Sequence, residues 1–189
     1  MYKTKVLLDE LYTQTEYFLE KAVQNWQNMP LDSFHKKPAP TAWSAAQCLE
    51  HLNIYGRYYL PALEKAIAKA EHNGYQSDDT FKSGWLGNYF YNLMLPNTEG
   101  VLKKKMKAPT NAVPTEKPDA RAMIAEFIDQ QERMLQLIER ARKVNLSKVR
   151  VPISIMQWLK LKVGDTFLFM AAHHDRHILQ AERSLNLVA

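Results

Sequence analysis

The sequence predicts an all-α protein, a four-helix bundle with one short extra helix. Three observations lead there. Apolar residues recur at three-to-four spacing through four long segments. Prolines cluster between those segments. No alternating apolar–polar run is long enough to make a sheet, because Pro152 interrupts the alternation of Val149, Val151, Ile153 and Ile155. At 189 residues the chain suits one domain spanning 1–189. That length buries a helical core without disulfide or metal staples, so any metal is expected to serve chemistry rather than folding.

The first helix is expected from about Lys3 to Asn28, with Val6, Leu7, Leu11, Phe18, Leu19, Ala22 and Trp26 along its apolar stripe. Pro30 ends it, and Pro30 to Thr41 reads as a connection. The second helix has the clearest start signal. Ser44 is an N-cap with Gln47 three residues on, a capping box, and Trp43 with Cys48 can form a hydrophobic staple across it. This helix runs to about Asn73, where Gly74 stops it, and Pro61 predicts a kink inside it. A short third helix is expected between Ser83 and Leu95, followed by a long connection from Pro96 to Pro118. The next long helix starts near Pro118 and Asp119 and runs to about Lys143, lined by Met123, Phe127, Met134, Leu137, Ile138 and Ala141. After a Pro152-containing connection, the last helix begins near Asp165, read as its cap. The two longest connections leave room for a crossover.

Composition narrows the function classes. Hydrophobic residues make up 46% and charged residues 24%, the balance of a globular protein. Cys48 is the one cysteine, so no intrachain disulfide is possible, and a reducing compartment fits. The N-terminal stretch lacks the apolar core of a signal peptide, and no membrane span is expected, which makes a cytoplasmic location the default. The net charge of +5 is mostly scattered. Its one cluster, Lys103, Lys104, Lys105 and Lys107, has Met106 as its only apolar neighbour and reads as a solvated loop, not a nucleic-acid surface.

The chemical signal is in the histidines. Of six, His173, His174 and His177 fall within five residues of the last helix, and His35, His51 and His72 lie elsewhere. His173 and His177 are four apart, so their rings differ by about 40° around the helix and can reach one metal. Imidazole suits zinc, nickel, copper and iron. No Glu follows His173 in the H-E-x-x-H manner, so the helical metalloprotease motif is absent. His51 is the candidate third ligand, on the flank of the second helix's stripe. On periodicity alone His174 competes with His173 as the partner of His177. The alternatives are a core His174 bonded to a backbone carbonyl, or three histidines facing solvent and pairing with Asp175 and Glu182.

The segments WSAAQCLEHL (Trp43 to Leu52) and HHDRHILQ (His173 to Gln180) resemble the start of the second helix and the last helix of the DinB-like, or YfiT-like, family. Their order and separation also match, so the likeness spans nearly the whole chain. The resemblance implies an up-down-down-up four-helix bundle. It also implies a divalent metal held by one histidine eight residues after the tryptophan and two spaced by four on the last helix. Carried over, these are His51, His173 and His177, which favours His173 over His174. Relatives include metal-dependent thiol S-transferases, among them bacillithiol and mycothiol enzymes and maleylpyruvate isomerase.

The leading expectation is therefore a thiol S-transferase. A low-molecular-weight thiol would lose its proton at a zinc, nickel or iron ion and attack an electrophilic acceptor. Cys48, at a packing position, is not the expected nucleophile. Metal-assisted hydrolysis ranks second, because its closest acids in sequence, Asp175 and Glu50, point away from the flank that carries the ligands. The third expectation is a non-enzymatic stress-linked binding or dimerisation module, as homodimers are common in the family. Tyr55, Tyr59 and most other aromatics read as core, and Tyr58, on the His51 flank, as a pocket-lining, cofactor-binding residue.

Overall fold

Apolar periodicity becomes five α-helices in the computed structural model, which describes residues 1–95 and 107–187. They are α1 (Thr4–Gln24), α2 (Ala45–His72), α3 (Trp85–Met94), α4 (Ala120–Ala141) and α5 (Val163–Ser184). The protein is mostly helical, with two small strand pairs among the described residues. Residues 96–106 of the expected long connection, which include Lys103 to Lys105 and Met106 of the lysine cluster, lie outside those residues, while Lys107 is exposed. Among the described residues no helix is long and apolar enough to cross a membrane.

The capping box is present. Gln47 N donates to Ser44 Oγ at 3.3 Å, and Ser44 N donates to Gln47 Oε1 at 3.1 Å. Pro61 sits at an exposed position of α2, and the helix continues past it to His72. Gly74 then takes a positive φ of 65°. The first helix is shorter than its stripe suggested: α1 ends at Gln24 and Trp26 enters a separate 3₁₀ turn, Trp26–Asn28. Val6, expected on the inner face, is 48% exposed, and Leu8 is buried instead.

Two local readings need correction. Asp165 does not cap the last helix from outside. It lies in the first turn of α5, which starts at Val163, and its buried carboxylate accepts from Ser83 Oγ and from Gly84 N, the residue before α3. It therefore closes the N-terminus of a neighbouring helix that has no cap of its own. Gly87 allows this approach, since a Cβ there would lie 2.2 Å from Asp165 Cγ. The second correction is a hairpin. β3 (Arg150–Ile153) and β4 (Met156–Lys162) pair antiparallel despite Pro152, with a register shift beside that proline. In a two-stranded ribbon each strand is an edge, so a residue without an N–H is tolerated. The other pair, β1 (Tyr2–Lys3) with β2 (Thr80–Phe81), is too short to leave a pattern.

Side-chain contacts give the helix directions. Arg57 pairs with Glu126, Glu64 with Arg133 and Glu71 with Arg140, each pair 69 residues apart. A constant offset over seven-residue steps means that α2 and α4 run the same way. Asp9 meets Arg142 and Trp26 meets Phe127, so α1 opposes α4. His51 meets His173 and Ala45 N donates to Ser184 Oγ, so α5 opposes α2. Phe18 meets His174 and Lys21 meets Glu182, so α1 and α5 are parallel.

The apolar core forms two clusters, and the long helices change cluster at one level. At the change each carries buried polar side chains: Thr15 on α1, Asn53 on α2, Gln130 and Gln131 on α4, and His173, His174 and His177 on α5. This polar layer holds the candidate site. Replacing Ser44 by Ala removes the cap that starts α2 beneath it and is expected to lower unfolding free energy by about 1 kcal/mol in urea titrations.

Candidate metal centre

His51 lies two turns into α2, where the capping box fixes the helix start. Its Nδ1 is 2.6 Å from the carbonyl oxygen of Ala112. A carbonyl only accepts, so Nδ1 carries the proton and Nε2 presents a lone pair. That Nε2 lies 3.1 Å from Nε2 of His173. His177, one turn further along α5, places its Nδ1 3.0 Å from Gln180 Oε1, which likewise leaves its Nε2 free. One ring nitrogen from each of His51, His173 and His177 lies within 4.8 Å of the others. Ring centroids are 4.6 to 5.0 Å apart with interplanar angles of 62° to 80°, so the rings converge edge to face.

The donor set fits a transition metal. Two lone pairs facing each other at 3.1 Å repel unless a proton or a cation sits between them. A tetrahedral ion at ordinary imidazole bond lengths separates its ligands by about 3.4 Å. His173 Nδ1 is buried without a hydrogen-bond partner, so the outward nitrogen of this ring does not compete for the role. Burial is the main cause holding all three rings below the usual histidine pKa, most strongly His173 and His177. The neighbouring imidazoles and the Arg176 charge push His173 and His177 further the same way. Neutral imidazoles are the form that binds metal.

Aromatic rings wall the site. Trp43 packs on His51 at 4.9 Å and His177 at 5.8 Å between centroids. Tyr55 lies 4.3 Å from His173 and 5.0 Å from His51, and Phe169 stacks on His173 at 5.5 Å and 11°. Tyr55, and not Tyr58, is the tyrosine whose ring meets the histidines among the described contacts. The Tyr58 ring meets Tyr59 at 5.0 Å, and no ring contact joins it to the three histidines among the described residues. Tyr55 stands four residues after His51, one helical turn, and that spacing was the signal available. Trp43 is more than a staple, since it covers two of the three rings.

The remaining candidates are placed elsewhere. His174 turns away from the converging rings, edge-on to Phe18 and Phe127, with its Nε2 buried and unpartnered. Glu50 gives its carboxylate to Thr115, accepting from Thr115 N at 2.6 Å. Burial raises the carboxyl pKa of Asp175. Cys48 is fully buried, which pushes its thiol pKa far up and makes it a poor nucleophile. His35 lies in the 3₁₀ turn Leu31–His35, and His72 is exposed at the end of α2.

Burial pushes His174 down to about 4. A folded pKa below the unfolded value means that the native state binds fewer protons, so stability is full above about pH 6.5 and lost as pH falls towards 4. A shift of this size is worth on the order of 3 kcal/mol. His174→Leu is expected to flatten the acid limb of urea-derived stability by that order while leaving metal content unchanged.

A family model described as the DinB superfamily matches residues 14–181, which include both histidine-bearing helices. No curated protein and no solved structure matches the chain. The family match covers far more than half of the sequence and includes all three converging histidines, and the chain belongs to the DinB superfamily.

Proposed function

We propose that this protein is a metal-dependent thiol S-transferase, with His51, His173 and His177 holding one divalent transition metal, zinc, nickel or iron. The observation that carries the reading is the convergence of three buried, uncharged imidazoles within 4.8 Å. Bound there, the metal would supply the Lewis acidity that makes a small thiol acidic enough to attack an electrophilic acceptor. The protein's own groups do the rest. Ala112 and Gln180 orient two of the ligand rings through their Nδ1 protons. Trp43, Tyr55 and Phe169 keep water away from the ring faces they cover. A thiol route needs no carboxylate base, and Glu50, the acid next to His51, is committed to Thr115. Hydrolysis through an activated water needs such a base and stays the lesser reading.

The proposal takes residues 1–189 as one domain, an up-down-down-up four-helix bundle with α3 as the extra helix. The helix directions, and the packing of each long helix against two others, support it. A cytoplasmic location is part of the same reading, as is the absence of nucleic-acid or membrane partners. A homodimer is a further possibility of the family, favoured here by Trp85, Trp158 and Tyr89, which are 82%, 76% and 56% exposed.

Elemental analysis of the native protein is expected to give one transition metal per chain. His177→Ala should lose that metal, and its transfer of a low-molecular-weight thiol to a chlorinated aromatic acceptor should fall roughly 100-fold or more. A fully loaded native protein inactive with every thiol tried would count against the transferase. Light scattering is expected to give twice the chain mass, and Trp85→Ser with Trp158→Ser should shift it towards the monomer. A native protein that runs as a monomer rules the dimer out.

A further inference from the structure

The carbonyl that orients His51 belongs to a short strap, residues 109–118, which contains the 3₁₀ turn Thr110–Ala112 and leads to α4. The strap lies along one face of α2, where Gln47, Glu50 and His51 stand at helical spacing. Gln47 Nε2 donates to Thr115 O at 3.0 Å. Glu50 accepts from Thr115 N at 2.6 Å and from Thr115 Oγ1 at 3.0 Å. Three residues back along the strap, Ala112 O accepts the proton of His51 Nδ1. Pro114 stands between the two anchor points and stiffens the link. Movement of Thr115 is therefore passed on to the Ala112 carbonyl.

We propose that Glu50 is a positioning residue for His51: by gripping Thr115 it holds the Ala112 carbonyl in place, which keeps the His51 proton on Nδ1 and the Nε2 lone pair turned to the other two histidines. The proposal rests on the three-histidine reading of the site. A bond from a backbone N–H to a carboxylate is stronger than one to a neutral acceptor, which suits Glu50 to this task. Gln47 cannot substitute, because its amide oxygen is engaged in the capping box and its amide nitrogen reaches only the Thr115 carbonyl.

The test compares the full-length native chain with Glu50→Ala, Glu50→Gln and Glu126→Ala. Glu126 pairs with Arg57, accepts from Gln130 Nε2 and touches no strap residue among the described contacts, so Glu126→Ala controls for loss of a nearby carboxylate that does not hold the strap. The first readout is the His51 ring tautomer in ¹⁵N-labelled, metal-free protein, from long-range proton–nitrogen correlations. The second is the rate at which a chelator strips zinc from loaded protein. Native protein and Glu126→Ala are expected to hold the Nδ1–H form. Glu50→Ala should mix both tautomers and release zinc about three- to tenfold faster, less than the 10- to 100-fold seen when a ligand's direct partner is removed. Glu50→Gln should restore both, because its amide oxygen can accept from Thr115 N while its amide nitrogen donates to Oγ1. Unchanged tautomer and release rate in Glu50→Ala would overturn the assignment, and so would equal changes in Glu126→Ala. If native protein takes up none of zinc, nickel and iron, the proposed function fails, and the tautomer readout still decides the role of Glu50.

Discussion

Burying uncharged imidazole in the middle of a helical core is the constraint on which the rest of this protein depends. A buried polar atom without a partner costs about 1–3 kcal/mol, a large share of a domain's net stability. The chain meets that cost by gathering several buried polar side chains of its long helices at one level and by giving two of the three converging rings a dedicated acceptor, Ala112 O for His51 and Gln180 Oε1 for His177. His173 has none on its Nδ1 and depends on its other nitrogen facing His51. The polar layer splits the apolar core in two, and the helices on either side are held by ordinary aliphatic and aromatic packing.

The two sides of α5 show how one helix separates chemistry from structure. His173 and His177 face α2 across a space walled by aromatic rings, while His174, adjacent in sequence, is pressed between Phe18 and Phe127. A shift of one residue turns a side chain about 100° around the helix axis, enough to move it from one environment to the other. The depressed pKa values on both sides have burial as their leading cause, so loss of charge alone does not mark a ligand. Convergence with His51 is what sets His173 and His177 apart from His174.

Much of this was legible in the sequence wherever a local rule governed. The capping box at Ser44, the stop at Gly74 and the one-turn spacing of His173 and His177 are set by short-range geometry. Helix periodicity did not single out His173, because His174 lies nearer the centre of the apolar stripe than either His173 or His177; the family resemblance favoured His173. Tertiary contacts account for what was missed. Asp165 looks like a cap for its own helix, and only the approach of Gly84 and Gly87 reveals that it serves α3. The hairpin around Pro152 is stabilised by the burial of Val151, Ile153 and Leu161 against the helices, which a strand rule applied to the segment alone does not see. Tyr55 and Tyr58 stand three residues apart on α2, and which of them meets His173 depends on the position of α5.

The ion pairs between α2 and α4 carry one reversal of sign: α2 offers Arg57, Glu64 and Glu71, while α4 offers Glu126, Arg133 and Arg140. If α4 slid by one heptad, about 10 Å, one attraction would survive and one like-charge encounter would appear, Arg57 against Arg133 or Glu64 against Glu126. Exposed pairs add little to stability, but this ordering makes the sliding itself unfavourable, as charge patterns do when they select among alternative alignments. Because the strap that carries Ala112 leads into α4, charges on the outside of the protein settle where the Ala112 carbonyl comes to rest on His51.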